Sequence, residues 1–320
     1  MLSLLLGFVL ATGSVSSDAV TDRDSVSVGY YAPDFAPAQQ ASQYHSPYLP
    51  TQNGRMWLNF GWARVTSEFN SDGDRVDIEP VPGVDGDVTS LALNVGGLYT
   101  FYRIGDMNLN AGINFAMANR TLNIGEPVDT DLSSGFSPQN LTIFGEIERP
   151  IYSLRLGYLA DLGPEAEDDG DYENTDRQSA IQFGASAQHW AGDLRVFGGA
   201  DYFLTFPREL TDEVDFDAGD VINLNLGAGW NWGSGEVGLA LLYRIRTEGS
   251  TDPEVPGLEL ENGWALSAVP YVNYSPLGSN YQVFLKGALQ SEYQDYGFAL
   301  AGKNDIAPRL GFTLGVNYAL

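Results

Sequence analysis

Residues 309–320 read Arg-Leu-Gly-Phe-Thr-Leu-Gly-Val-Asn-Tyr-Ala-Leu. Leu310, Phe312, Leu314, Val316, Tyr318 and Leu320 share one face, whereas Arg309, Gly311, Thr313, Gly315, Asn317 and Ala319 share the other. Alternation with a period of two marks a β-strand with one apolar side. The same pattern recurs upstream, at 56–68, 89–102, 107–120, 140–148, 153–162, 179–190, 193–206, 220–232, 236–247, 263–274 and 281–293, giving twelve segments with 306–320. No helical period intervenes.

The connections between these segments alternate in length. Arg103–Asp106, Arg149-Pro150, Ala191-Gly192, Gly233-Ser234-Gly235 and Ser275-Pro276-Leu277-Gly278 are tight turns. The stretches 69–88, 121–139, 163–178, 207–219, 248–262 and 294–305 are long and acidic. An up-and-down antiparallel transmembrane barrel with an even strand count, short periplasmic turns and long extracellular loops predicts that alternation. A soluble sandwich has no reason to keep it.

The two faces carry the matching chemistry. In 220–232, Ile222, Leu224, Leu226, Ala228, Trp230 and Trp232 alternate with Asn223, Asn225, Gly227, Gly229 and Asn231. In 107–120, Met107, Leu109, Ala111, Ile113, Phe115 and Met117 oppose Asn108, Asn110, Gly112, Asn114, Ala116 and Ala118. Asn and Gly are poor strand formers, and their recurrence on one face predicts a narrow, hydrated lumen. Aromatics near strand ends (Trp57, Trp62, Tyr99, Phe101, Tyr202, Phe206, Trp230, Trp232, Tyr274, Tyr318) fit interfacial girdles.

The chain resembles the outer-membrane β-barrel proteins of diderm bacteria over residues 56–320, with monomeric channel and solute-transport barrels the nearest comparison. The alternating Phe312, Leu314, Val316, Tyr318 and terminal Leu320 look like the assembly signal of such barrels, with Leu where they usually end in Phe or Trp. The resemblance implies outer-membrane lipid, the barrel-assembly machinery and small solutes as partners, and no cofactor.

Residues 2–10 form an apolar run too short to span a bilayer, followed by small residues from Ala11 to Ser17, so 1–17 reads as a secretory signal although no basic residue precedes the run. Residues 18–53 are rich in Pro, Ala, Gln, Ser and Tyr and form a periplasmic leader or a lumen plug. The barrel then occupies 54–320.

Composition narrows the function. Among 320 residues there are 42 acids against 16 bases, a net charge of -26 that argues against nucleic acid. Cysteine is absent, which excludes disulfides, thiolate metal sites and a cysteine nucleophile. The acidic loops 164–176 and 209–220 offer hard oxygen ligands that suit divalent cations. They do not follow EF-hand spacing, so no metal site is assigned, and a solvated acidic surface or a saline habitat accounts for them equally.

By alternation Arg120, Glu146, Glu148, Arg155, Asp161, Arg195, Asp201, Arg244, Arg246, Lys286 and Arg309 project into the lumen. A charge on the lipid face at mid-depth costs roughly 2–4 kcal/mol, so inward placement is expected. These side chains either brace the wall as ion pairs or guide anionic solutes. A lipid-modifying enzyme would need a histidine within reach of a serine. His45 and His189 are the two histidines, and neither lies in such a pattern. The expected function is therefore passage of small solutes, without catalysis, with a structural or adhesive barrel as the alternative.

Overall fold

The computed structural model describes residues 12–14, 26–28, 54–69, 75–81, 84–124, 130–133, 136–162, 179–211, 214–217, 219–252, 262–276, 279–294 and 305–320. Twelve strands form the barrel: β1 (Gly54–Phe69), β2 (Val84–Ile104), β3 (Met107–Ile124), β4 (Ser137–Arg149), β5 (Tyr152–Asp161) and β6 (Ala180–Ala191), then β7 (Leu194–Thr205), β8 (Val221–Asn231), β9 (Gly235–Arg246), β10 (Gly263–Tyr274), β11 (Tyr281–Gln294) and β12 (Asp305–Ala319). Each pairs antiparallel with the next, and β12 returns to β1 from Ala319–Arg55 up to Asp305–Phe69. Closure leaves no sheet edge, the condition a β-structure must meet to lie in hydrocarbon.

The strands match the sequence periodicity closely. The largest departures lie on the long-loop side, where β2 begins five residues earlier than the alternation indicates, at Val84, and β3 runs on to Ile124. Short strands at Arg75–Val81 and Thr130–Ser133 extend the wall there, and Arg208–Thr211, Val214–Asp217 and Ser250–Asp252 form a separate three-stranded sheet that joins two loops. Periodicity had assigned these stretches to loops. On the short side, Gly105 and Gly192 open two-residue turns with φ near 60°, a sign of φ that hairpin turns require and glycine supplies without strain. The leader or plug outside 26–28, the signal segment outside 12–14 and the acidic loop 163–178 lie outside the described residues.

The exterior is apolar. On β8, Leu224, Leu226 and Trp230 are exposed while Asn223, Asn225 and Asn231 are buried, and β5 shows the same order with Leu154, Leu156 and Tyr158 outside and Ser153 and Arg155 inside. The outward-pointing aromatics form two belts. Tyr158 meets Phe206, Phe183 meets Tyr202 and Tyr243 meets Trp264 toward the long loops. Trp230 and Trp232, with Tyr274, Tyr281 and Tyr318, lie toward the short turns. Trp57 is a correction: counted above as a girdle residue, it points inward, 5% exposed, and donates its indole N–H to Asn114 Oδ1 at 2.9 Å. Met56 is outward, so the period of two requires this of its neighbour.

Candidate functional site: the barrel interior

The inner wall is built from a repeated unit. Phe144 on β4 faces Gly112 on β3, Phe197 on β7 faces Gly227 on β8, and Phe284 on β11 faces Gly315 on β12. In each pair the ring lies over the glycine so closely that a Cβ there would fall 2.2, 2.4 and 2.3 Å from ring carbons. Trp57 sits likewise over Gly96. These glycines are seats that let bulky rings lie flat along the wall. That corrects the expectation that inward glycine simply keeps the lumen hydrated.

Each seated phenylalanine carries a cation. The Arg155 guanidinium lies 4.5 Å from the Phe144 centroid, Arg195 lies 4.6 Å from Phe197, and the Lys286 ammonium lies 4.6 Å from Phe284. Such contacts contribute about 0.5–2 kcal/mol according to desolvation. Both arginines are also salt-bridged, Arg155 to Glu146 and Arg195 to Glu236, the latter through Nε at 2.9 Å and Nη2 at 2.5 Å. Tyr271 donates its hydroxyl to Glu236 at 2.6 Å, and Arg195 Nη1 donates to Gln188 at 3.2 Å. The third pair, Arg55–Glu148 at 3.0 Å, spans from β1 to β4, and Asn110 donates to Glu148 at 3.1 Å. Removing one member of such a buried pair typically costs about 3–5 kcal/mol, because the survivor is left charged in a poor solvent.

The sequence-derived lumen set maps onto this wall as follows. Glu146, Glu148, Arg155, Arg195, Asp201, Arg244, Arg246 and Lys286 are inward and buried. Asp161 is inward and half-buried near the outer end of β5. Gln182 donates to Asp201 at 2.9 Å and Arg244 donates to Asn223 at 3.0 Å. The side chains of Arg120 and Arg309 lie outside the described residues. Glu146, Glu148 and Arg155 come together with Arg55; Arg195 joins Glu236 and Tyr271; Arg244 lies apart, toward the long-loop end.

Sequence reading missed Arg55, Glu236, Tyr271 and Gln182. Arg55 preceded the expected start of its strand, and Glu236 opened its own. Extending the alternation to those terminal positions would have found both. Leu242, inward by the period of two, lies where the lumen wall is apolar: it packs with Phe197, Ala240, Val269 and Tyr271. Among the described residues no group of three or more His, Asp or Glu side chains is placed to hold a metal. His189 is exposed near the short-turn end of β6, and His45 lies outside the described residues.

Inward residues are buried to a degree that bulk water in contact with them would not allow. Arg195 is 0% exposed and Lys286 is 2% exposed. In this conformation these two side chains do not front an open aqueous pore.

No protein-family model and no curated protein matches the sequence. Solved structures do match in fold. An outer membrane channel of Pseudomonas putida F1 aligns with a TM-score of 0.65 at 12% identity, over 86% of this chain and 98% of that one. The β domain of the Bordetella autotransporter BrkA aligns at 0.49 and 13% identity, over 84% and 100%. The translocator domain of NalP from Neisseria meningitidis aligns at 0.43 and 10% identity, over 83% and 89%. Closed wall, apolar exterior and the first of these likenesses agree: the chain is a twelve-stranded outer-membrane β-barrel, and its location is the bacterial outer membrane.

Proposed function

We propose that the barrel passes small solutes across the outer membrane. One observation carries this reading: Phe144, Phe197, Phe284 and Trp57 are laid flat on wall glycines instead of being directed across the axis. Rings kept against the wall stabilise it and also leave the axis free of the bulkiest inward side chains, which a conduit requires. The buried state of the wall is then a closed state, and passage requires rearrangement inside the lumen.

The wall also sets a charge preference. Arg55, Arg155 and Arg195 are neutralised by Glu148, Glu146 and Glu236. Arg244, Arg246 and Lys286 add positive charge on the same face, against Asp201 and Asp161. Acidic loops at the mouth oppose them, but loop charges in solution are screened over about 3 Å at 1 M salt and about 8 Å at physiological strength. Weak anion preference is therefore expected in ~1 M salt, shifting toward cations as salt falls. Reversal potentials in planar bilayers test this. Arg244→Gln with Arg246→Gln reduces the high-salt anion preference. Absence of conductance at every salt concentration, also after deletion of residues 18–53, overturns the reading.

The alternative is an adhesive or structural barrel. It is favoured by the small sheet of Arg208–Thr211, Val214–Asp217 and Ser250–Asp252, which braces two loops into one platform. We assign the protein no catalysis.

A further inference from the structure

The wall has one proline inside a membrane strand whose neighbour answers with a glycine. Pro270 on β10 points outward and faces Leu239 of β9 on one side. On the other side the β10–β11 register runs through Ala268–Leu289 and resumes at Tyr271–Lys286, omitting Val269 and Pro270 against Gly287 and Ala288. The frame is unchanged across the omission, so this is not a slipped strand. Proline has no N–H to donate. The loss of that one donor removes both omitted pairings and leaves the Gly287 carbonyl without its partner from β10. In hydrocarbon such a carbonyl is costly, and proline is otherwise confined to edge strands and bulges.

Both sides of the break are apolar. Outside, Val272, Leu285 and Leu289 are exposed within the lipid-facing belt. Inside, Val269 is 7% exposed and packs with Phe197, Ala240, Leu242 and Tyr271, one of the apolar clusters on the lumen wall. Across the break the two residues face each other directly: a Cβ on Gly287 would stand 3.2 and 3.7 Å from the Pro270 ring and 3.9 Å from its carbonyl oxygen.

We propose that the β10–β11 wall at Pro270 and Gly287 is a lateral portal through which small apolar molecules pass between the luminal patch and the bilayer core. This rests on the reading of the barrel as a conduit and adds a solute class and an exit direction to it. The weakened ladder supplies the opening, the luminal patch the resting place, and the aliphatic exterior the destination.

The absence of native cysteine makes the test clean. Val269→Cys places a thiol directly behind the break. Asn225→Cys, equally inward and 6% exposed on β8, places one behind ladders that are unbroken on both sides. The full chain in lipid vesicles is treated with N-dodecylmaleimide, which partitions into the membrane, and separately with a charged, water-soluble thiosulfonate. The portal predicts that the Val269→Cys variant reacts with the membrane reagent at least tenfold faster than the Asn225→Cys variant. It also predicts that adding Pro270→Val to Val269→Cys, which restores the N–H to Gly287, slows that reaction toward the rate of the β8 variant. Equal rates at the two sites, or no effect of Pro270→Val, overturn the portal. Both outcomes are independent of conductance. A conducting barrel with equal rates loses the portal and keeps the conduit. A barrel closed to ions whose Val269→Cys variant labels fast keeps the portal and loses the aqueous path.

Discussion

Replacing Gly112 with alanine tests whether inward glycines are seats for rings. The new Cβ would stand 2.2 Å from Phe144 Cζ and 2.6 and 2.7 Å from its Cε atoms. An ordinary contact begins near 3.4 Å, so the ring must retreat by more than about 1 Å, a shift of the kind that makes overpacking costly. Retreat is obstructed, because Arg155 lies over the ring at 4.5 Å and Trp57 stacks beside it with centroids 6.5 Å apart. Overpacking of this kind costs about 1–3 kcal/mol, and displacing the guanidinium forfeits about 0.5–2 kcal/mol more. The gain from a stiffer unfolded chain returns roughly 0.4–1 kcal/mol. The net expectation is a loss of about 2–3 kcal/mol. Gly145→Ala, next to Phe144 but outward, is the control: its Cβ would meet only Asn110 O at 4.0 Å, and it should be neutral or slightly stabilising. Denaturant titration of the barrel in lipid vesicles, followed by tryptophan fluorescence and by heat-dependent gel mobility, measures both. In the double variant Gly112→Ala with Phe144→Ala the seat is vacant, so the two losses should fall short of additive by at least about 1 kcal/mol. Equal effects at Gly112 and Gly145, or strict additivity in the double variant, would refute the seat argument.

Two further outcomes are expected. Leu241→Arg puts a charge on the lipid face and should impair folding into bilayers by about 2–4 kcal/mol at mid-depth; period alone would make the inward Leu242→Arg milder, but Leu242 is packed among Phe197, Ala240, Val269 and Tyr271, so comparable damage is expected, and a benign Leu242→Arg in vesicle-refolding yield would contradict that packing. On intact cells, tags within 163–178 should be accessible to protease and tags at Gly233-Ser234-Gly235 protected; the reverse result inverts the topology.

Strand number, order and side were legible in the sequence because a closed membrane barrel enforces one rule, apolar out and polar in, at every second residue. Leu224 and Asn225 obey it as plainly as Leu314 and Gly315. What alternation cannot convey is which inward residues meet across strands. Arg195 and Glu236 are 41 residues apart and touch only because β7, β8 and β9 bring them to one height. The seats were hidden for the same reason: Gly227 is an unremarkable inward glycine until its register with Phe197 is known. Pro270 stood in the sequence inside an expected strand, yet its meaning depends on Gly287 being opposite. Local periodicity fixes which way a side chain points, and only pairing fixes what it meets.

The seam between β12 and β1 governs when this protein comes into being. Every other barrel pairing joins strands that follow one another in the chain, whereas this one joins nearly the whole length of it, ending where the Leu320 N–H donates to the Gly54 carbonyl at 2.9 Å. Closing a loop of about 260 residues costs on the order of 5 kcal/mol in chain entropy by the logarithmic rule, and it cannot begin until β12 has been exported. Until then both β1 and the growing edge present unpaired backbone to their surroundings. A chain cut short at the start of β12 therefore leaves a curved sheet with two open edges and no smaller barrel. β12 is at once the last of the twelve strands made and the one that ends the open sheet's exposure, so selection on it acts through the lifetime of the unfinished form as well as through the finished wall.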